Sequence, residues 1–367
     1  MSINLNKNNN KVYYMDLALQ QANKNLGNTK NNPSVGCVLV KNDSIISTGS
    51  TSMNGRPHAE SNALNLNKNE LRNTIMFVTL EPCSHYGKTP PCVKQIINKK
   101  VKKVFFSIND PDSRSFNKCS KLLKKNKINC DIGILKKKIE NFYQTYINYK
   151  KKYQPTVTAK IALSKDLYTK HKKKMWITNK FARGRAHLMR ATHDSIITSY
   201  KTIIEDNPKL NCRITGLENQ SPARIIIDKN LKTPLKSNVV TTSRKIKTII
   251  FYSKGNKRKI NKLKKQKVKL INVPTANNNN FNLKFILRII SKLGFYRILL
   301  EAGPSMTANF LKSGLVNNMY FFISNNKLKK NGSNNFQNII KIYFKNKKNK
   351  KQKINLFGDK LISYSMN

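Results

Sequence analysis

The feature that most constrains this chain is a set of three soft metal ligands far apart in sequence. His58-Ala59-Glu60 is followed by Glu81-Pro82-Cys83 and then by Pro91-Cys92. A fold that uses them must bring a helix start, a strand end and a second helix start to one point. Two thiolates and a neutral imidazole suit Zn²⁺ by softness and geometry. The thiolates cancel the dication, and three protein ligands leave the fourth tetrahedral position for water, as a catalytic zinc requires. Such a metal lowers the pKa of its water toward ~7. Glu60, two residues after His58, can face that position without ligating. It would take the proton from water and deliver it to the group that leaves. The bland alternative is a buried His with two core cysteines, or a closed structural zinc. A closed site needs a fourth ligand, and His85 is the only local candidate; its polar loop suits substrate contact better. Cys37, Cys119, Cys130 and Cys212 stand in apolar or helical context and read as structural.

The rest of the chain supplies the layers. A helix is expected over 13–25, strands over 35–40 and 44–48, a helix over 58–66, a strand over 74–80 and a helix over 93–98. A strand over 101–108, a helix over 118–126 and a strand over 128–132 follow. This alternation indicates an α/β layer domain. A second start lies near residue 150, where a polar, basic run (148–154) is closed by Pro155. Strands are expected there over 156–162, 195–199, 223–228, 248–252, 267–273, 297–300 and 319–323. Helices are expected over 180–190, 283–293 and 305–313. The Lys/Asn-rich stretch 327–353 reads as loop and irregular edge strand. At 367 residues the chain has room for two cores. The expected division is 1–150 and 154–367.

Composition limits the partners. The chain carries 71 Lys and Arg against 17 Asp and Glu, a net charge of +54. That charge could serve a nucleic-acid surface. Lys, however, is spread over the whole chain with Asn and Ile, residues of A/T-rich codons, and forms no single stripe. Polar tracts at 7–11 and 277–280 share the bias. Compositional drift is the reading favoured here, with weak, salt-dependent polyanion binding as its consequence. Acids that survive such drift inside sensible motifs carry more weight: Glu60, Glu81, Asp110, Asp166, Asp206, Asp228 and Glu301. The start of the chain has no apolar core of a signal peptide, and no run of 18 apolar residues exists. A cytoplasmic protein with no membrane segment is expected.

H-x-E…P-C-x-x-C is the established signature of zinc nucleobase deaminases, so His58, Glu60, Pro82 and Cys83 match a known pattern. The match departs at the second cysteine. Eight residues, Ser84-His85-Tyr86-Gly87-Lys88-Thr89-Pro90-Pro91, stand where that pattern has two. The stretch Glu81 to Cys92 resembles the deaminase of riboflavin biosynthesis. Asn32-Pro33-Ser34-Val35-Gly36-Cys37-Val38-Leu39-Val40, Pro57-His58-Ala59-Glu60 and Asp110-Pro111 fit that family in order and spacing. Members often carry a reductase behind the deaminase. The second half resembles it through Ala162-Leu163-Ser164-Lys165-Asp166, Trp176-Ile177-Thr178, Arg190-Ala191, the run Thr202 to Arg213, the strand Arg224 to Asp228 and Glu301-Ala302-Gly303-Pro304-Ser305.

The resemblance implies an α/β protein with two parts. A cytidine-deaminase-like α/β/α domain would precede a dihydrofolate-reductase-like α/β domain. It implies one zinc on His58, Cys83 and Cys92, with Glu60 catalytic. NADPH would be held by Ala162, Trp176, Thr202, Asp206, Gly303, Pro304, Ser305, Met306, Thr307, Ala308 and Asn309. Arg190, Leu210, Arg213 and Glu301 would hold the substrate's ribose phosphate. It further implies a small phosphorylated substrate, no specific nucleic-acid partner and a homo-oligomer, a dimer or larger.

Read without the resemblance, these residues say less. The chain contains no G-x-G, which excludes a Rossmann fingerprint. The strand, turn and helix around Gly303-Pro304 could present free N–H groups to phosphate or be ordinary. Guanidinium geometry suits phosphate, but Arg190 and Arg213 alone read as surface charges. Three departures from the family stand out. Its Asp-Gly is Asp166-Leu167, its small loop before the Trp is Lys170-His171-Lys172-Lys173-Lys174, and a Gly-rich turn after Asp110-Pro111 reads Arg114-Ser115-Phe116-Asn117-Lys118. A non-glycine at positive φ costs on the order of 1 kcal/mol, so a deaminase with a weakened reductase is one alternative. A nucleic-acid or nucleoside deaminase with a basic accessory domain is another. A zinc-stabilised, polyanion-binding protein without activity is the third, and the presence of Glu60 speaks against it.

Overall fold

A computed structural model describes residues 7–67, 69–276 and 280–366, without the side chains of 7–9 and 152. The first residues of the chain and most of the 277–280 tract lie outside them. Two compact units, Met1–Tyr153 and Gln154–Asn367, make up the chain.

The first unit runs α1 (Lys7–Asn23), β1 (Gly36–Lys41), β2 (Ser44–Ser50), α2 (Ala59–Asn65), β3 (Thr74–Leu80), α3 (Cys92–Asn98), β4 (Lys103–Ile108), α4 (Cys119–Lys125), β5 (Asn129–Ile132) and α5 (Lys136–Lys152). Its five-stranded sheet has the order β2-β1-β3-β4-β5. β1 is antiparallel to β2 and β3, whereas β3, β4 and β5 run parallel. β1, β3 and β4 are buried along nearly their whole length, as strands covered on both faces must be. Helix α5 departs from the expected linker: most of the polar run that was read as a boundary is its last turn. Ile139, Tyr143 and Tyr146 are buried at helical spacing. The Tyr143 hydroxyl lies 2.6 Å from Thr79 Oγ1 and donates to the Ser34 carbonyl at 2.9 Å.

Helices α1 and α2 approach the sheet unusually closely, and glycine makes this possible. A Cβ at Gly36 would sit 1.8 Å from the Ala18 carbonyl oxygen, and one at Gly49 would sit 2.1 Å from that of Ala59. Gly49 therefore sets how deeply α2 seats, and α2 begins next to His58. Gly49→Ala is expected to destabilise the first unit by about 1–3 kcal/mol and to lower zinc content measured by a colorimetric chelator. Full zinc occupancy with unchanged stability would show that the close approach does not matter.

The second unit continues with β6 (Thr156–Leu163), β7 (Tyr168–His171), α6 (Lys180–Ala191), β8 (Ser195–Ser199), α7 (Tyr200–Asp206), β9 (Ala223–Ile227), α8 (Asn238–Thr241) and β10 (Thr248–Tyr252). Then come α9 (Lys257–Lys265), β11 (Lys269–Asn272), α10 (Leu283–Lys292), β12 (Arg297–Leu300), α11 (Pro304–Lys312), β13 (Asn318–Ile323), β14 (Gly332–Asn335), α12 (Gln337–Phe344), β15 (Asn349–Lys351) and β16 (Lys360–Ser365). Nine strands form one sheet in the order β11-β10-β9-β8-β12-β6-β13-β16-β15. The first seven are parallel; β16 and β15 are antiparallel additions. The chain leaves β8 toward β9 and leaves β12 toward β13, in opposite directions along the sheet. Ligands of open α/β sheets bind at the carboxyl ends of strands at such a reversal. Ser199, Thr202, Glu301 and Gly303 stand there.

The stretch 327–353 is more ordered than expected. It contains α12, whose Phe344 is buried against the core beside Phe321, at 5.1 Å between ring centroids. Edge strand β15 lies near its end. The short elements β7, α7, α8, α9 and β16 go beyond the expected set, whereas β14 and β15 fall in the stretch that reads as loop and irregular edge strand. No helix among the described residues is long and apolar enough to cross a membrane.

Candidate active sites

The first unit brings the three metal ligands together. His58 caps the start of α2 in an extended conformation, Cys83 follows β3, and Cys92 is the first residue of α3. His58 Nδ1 lies 3.6 Å from Cys83 Sγ and 3.4 Å from Cys92 Sγ. All three ligand atoms fall within 4.8 Å of one another. Zn–S and Zn–N bonds at a tetrahedral angle put such atoms about 3.5 Å apart, so the donor set fits zinc. The Cys83 thiol is held well below its ordinary range, first by its hydrogen bond with Cys92 and then, against burial, by its contact with His58. A thiolate ligand is thus available at neutral pH.

Glu60, in the first turn of α2, is 3 % exposed. Burial pushes its carboxyl up to about 7, close to where a group that both takes and gives a proton works best. Among the described residues His85 is not part of the ligand group, and its Nδ1 lies 2.9 Å from Ser115 Oγ instead. Ser84 Oγ, next to Cys83, is buried without a hydrogen-bond partner, which suits a polar ligand.

Glu81 proves to be a loop anchor. Its carboxylate accepts the N–H groups of Asp110 at 3.1 Å, Asn117 at 3.0 Å and Cys119 at 3.0 Å. It thereby fixes the segment that carries Ser115 to His85. The turn expected to be glycine-rich is closed by Asn117 at φ 57°, a conformation that asparagine tolerates better than most residues. Asp110 accepts from Tyr146 Oη at 3.0 Å, and burial raises it to about 6.

In the second unit, Glu301 follows β12 and Arg190 lies in α6. Their side chains meet in a bidentate pair, Nε to Oε1 and Nη2 to Oε2, both at 2.8 Å. Arg190 Nη1 donates to the Asn211 carbonyl at 3.1 Å. Most of the Arg190 fork is therefore spent inside the protein. Lys160 Nζ stands 4.0 Å from Glu301. Burial pushes the Glu301 carboxyl up, but Arg190 and Lys160 outweigh it and hold it at about 2. Arg213 is exposed on the same side; burial, Arg190 and Arg183 all depress it. Such a concentration of positive charge suits a phosphate. Leu210, at φ 49°, buries its side chain in the core, so only its backbone can meet a ligand.

Of the nicotinamide set, Gly303 starts α11, with Pro304, Ser305, Met306, Thr307, Ala308 and Asn309 in its first two turns. No side chain caps that first turn, and a Cβ on Gly303 would meet nothing within 4 Å. Its leading N–H groups are open to an anion, so the residues fit a dinucleotide phosphate. Ala162 lies near the carboxyl end of β6, which pairs with β12. Thr202 bonds through its N–H to Ser199 Oγ at 3.3 Å at the start of α7. Asp206 ends α7, 3.9 Å from Lys170. Trp176 is half-exposed, with the Arg183 guanidinium 5.1 Å from its ring centroid.

The altered loops have local supports. Leu167 does adopt φ 67°, but its side chain packs against the core. Asp166 accepts from Ser164 Oγ and from the N–H groups of Leu328 and Lys329. In the Lys-rich loop, His171 Nδ1 accepts the N–H groups of Lys173 and Lys174.

A zinc deaminase joined to a doubly wound reductase is the class that these folds and sites define. Residues 8–108 match the model of the cytidine and deoxycytidylate deaminase zinc-binding region, and residues 155–326 match the RibD C-terminal domain. The chain is 34 % identical over 313 residues to riboflavin biosynthesis protein RibD of Aquifex aeolicus, covering 85 % of this chain and 86 % of that one. Acinetobacter baumannii RibD superposes with a TM-score of 0.84 at 28 % identity, over 98 % of this chain and 99 % of that one. A Thermotoga maritima structure described as a diaminohydroxyphosphoribosylaminopyrimidine deaminase/5-amino-6-(5-phosphoribosylamino)uracil reductase gives 0.83 at 26 % identity, with the same coverage. The chain belongs to the family of riboflavin biosynthesis protein RibD. It is a bifunctional deaminase and reductase of riboflavin biosynthesis, with zinc and NADPH as cofactors.

Proposed function

We propose that the first domain, residues 1–150, deaminates 2,5-diamino-6-(5-phosphoribosylamino)pyrimidin-4(3H)-one. The second, residues 154–367, then reduces 5-amino-6-(5-phosphoribosylamino)uracil to its ribitylamino product. The observation that carries this reading is the His58, Cys83 and Cys92 triangle at tetrahedral spacing beside a buried Glu60. Bound zinc supplies a water of lowered pKa. Glu60 would carry the two protons of the water in turn, one to the ring nitrogen as the oxygen bonds the amino-bearing carbon and the other to the amine, so that ammonia leaves as the carbon–nitrogen bond breaks. His85 and the segment from Ser84 to Pro91 line the entry and select the ribotide.

In the second domain NADPH supplies the hydride. Ala162, Trp176, Thr202, Asp206 and the start of α11 from Gly303 to Asn309 seat it. Arg213 takes the ribose phosphate, Leu210 contributes backbone, and the Arg190–Glu301 pair forms the charged wall. The enzyme works in the cytoplasm as a homo-oligomer on a small phosphorylated molecule and needs no nucleic acid. The family resemblance supports the homo-oligomer and the small phosphorylated substrate.

Purified protein with zinc, given the diaminopyrimidine ribotide, is expected to release ammonia without NADPH and to oxidise NADPH only afterwards. Ammonia release with no NADPH oxidation would overturn the reductase assignment. Deamination of cytidine or RNA in place of the ribotide would overturn the substrate assignment.

A further inference from the structure

The segment between α7 and β9 begins with a loop, 207–213, that holds two left-handed non-glycine residues, Asn207 at φ 38° and Leu210 at φ 49°. Such a backbone persists only when its surroundings hold it. Its carbonyls are held from two sides. Arg224 Nη1, from β9, donates to Lys209 O at 3.2 Å. His187 Nδ1 and Arg190 Nη1, both from α6, meet on Asn211 O, each at 3.1 Å. His187 and Arg190 are three residues apart and share one helix face.

A carbonyl oxygen can only accept, so the His187 proton must sit on Nδ1, and Nε2 is left as an acceptor. Burial, with Arg190 and Arg213 nearby, keeps the ring neutral at physiological pH. Arg190 is itself clamped by Glu301. His187 therefore joins Arg190 in tying α6 to the loop that presents Leu210 and Arg213.

We propose that His187 is a positioning residue of the reductase: its Nδ1–H fixes the Asn211 carbonyl and so sets where Arg213 meets the substrate phosphate. This rests on the reading that Arg213 faces that phosphate.

The test compares two amides in the full-length enzyme. The Nδ2 of His187→Asn falls near the imidazole Nδ1, whereas the Nε2 of His187→Gln falls near the imidazole Nε2. The Asn variant is expected to keep KM for 5-amino-6-(5-phosphoribosylamino)uracil within about twofold. The Gln variant should raise it about tenfold, the size of one lost buried hydrogen bond. In both, kcat and the KM for NADPH stay within about twofold. Hydrogen exchange at the amides of Asn211 to Arg213 should quicken in the Gln variant only. A Gln variant as good as wild type beside an impaired Asn variant would assign the work to Nε2 and overturn the proposal. So would equal KM values in both variants and wild type while Arg213→Ala raises KM. An Arg213→Ala variant with unchanged KM would instead overturn the phosphate reading, and the proposal with it.

Discussion

Glu60→Gln is expected to bind zinc as the wild type does and to release ammonia at least about 10²-fold more slowly, the range of general acid–base catalysis. Gln has the shape of Glu but cannot carry the proton between water and amine. His58, Cys83 and Cys92 are untouched, so metal content should stay unchanged, which separates loss of proton transfer from loss of the metal. NADPH oxidation with 5-amino-6-(5-phosphoribosylamino)uracil supplied directly should also stay unchanged. A variant that deaminates at the wild-type rate would remove Glu60 from the chemistry. One that loses zinc would make it a structural residue.

The second large effect lies in the other domain. Glu301→Ala leaves the buried Arg190 guanidinium and Lys160 without their common anion, which is expected to cost about 3–5 kcal/mol. Urea unfolding followed through the second unit would measure it. The pH dependence has a definite sign. The Glu301 carboxyl sits at about 2 when folded against an ordinary 4.5. Its contribution is therefore complete above about 4.5 and is lost as pH falls toward 2. A double variant, Arg190→Met with Glu301→Leu, should recover the part of the loss that comes from the unpaired guanidinium, with Lys160 still lacking its anion, and lose that part of the acid sensitivity. It should still fail to reduce substrate. Retained reductase activity in the double variant would leave the pair a purely structural role.

The zinc site was legible because metal chemistry restricts residue types. A His and two Cys at those positions belong to a short menu of residue types that satisfy it, and their motifs survive the Lys/Asn drift. Strands such as β3, β8, β10 and β12 were equally legible, being short apolar runs between turn signals. Helix α5 was not, although Ile139, Phe142, Tyr143, Tyr146 and Ile147 have helical spacing. Its lysine-rich end, 148–152, reads as part of a domain boundary, and its first residues carry no expectation. Helix α12 was hidden the same way inside a low-complexity stretch. The Arg190–Glu301 pair spans 111 positions, and no local pattern announces it. Gly49 and His187 matter through backbone carbonyls brought close by the fold, those of Ala59 and Asn211, so nothing in their own neighbourhood marks them. Arg224 is similar: it is fully buried and spends its guanidinium on Thr242, Thr248 and the carbonyls of Lys209 and Ile246.

The most direct test of two chemistries in one chain is mass spectrometry of the product formed from the diaminopyrimidine ribotide, zinc-loaded protein and NADPH deuterated at the transferred position. The account predicts a ribitylamino uracil phosphate that has lost the 2-amino nitrogen and carries a deuterium on its sugar-derived chain. A product that is deaminated but carries no deuterium, or one that is deuterated yet keeps its 2-amino group, would contradict it.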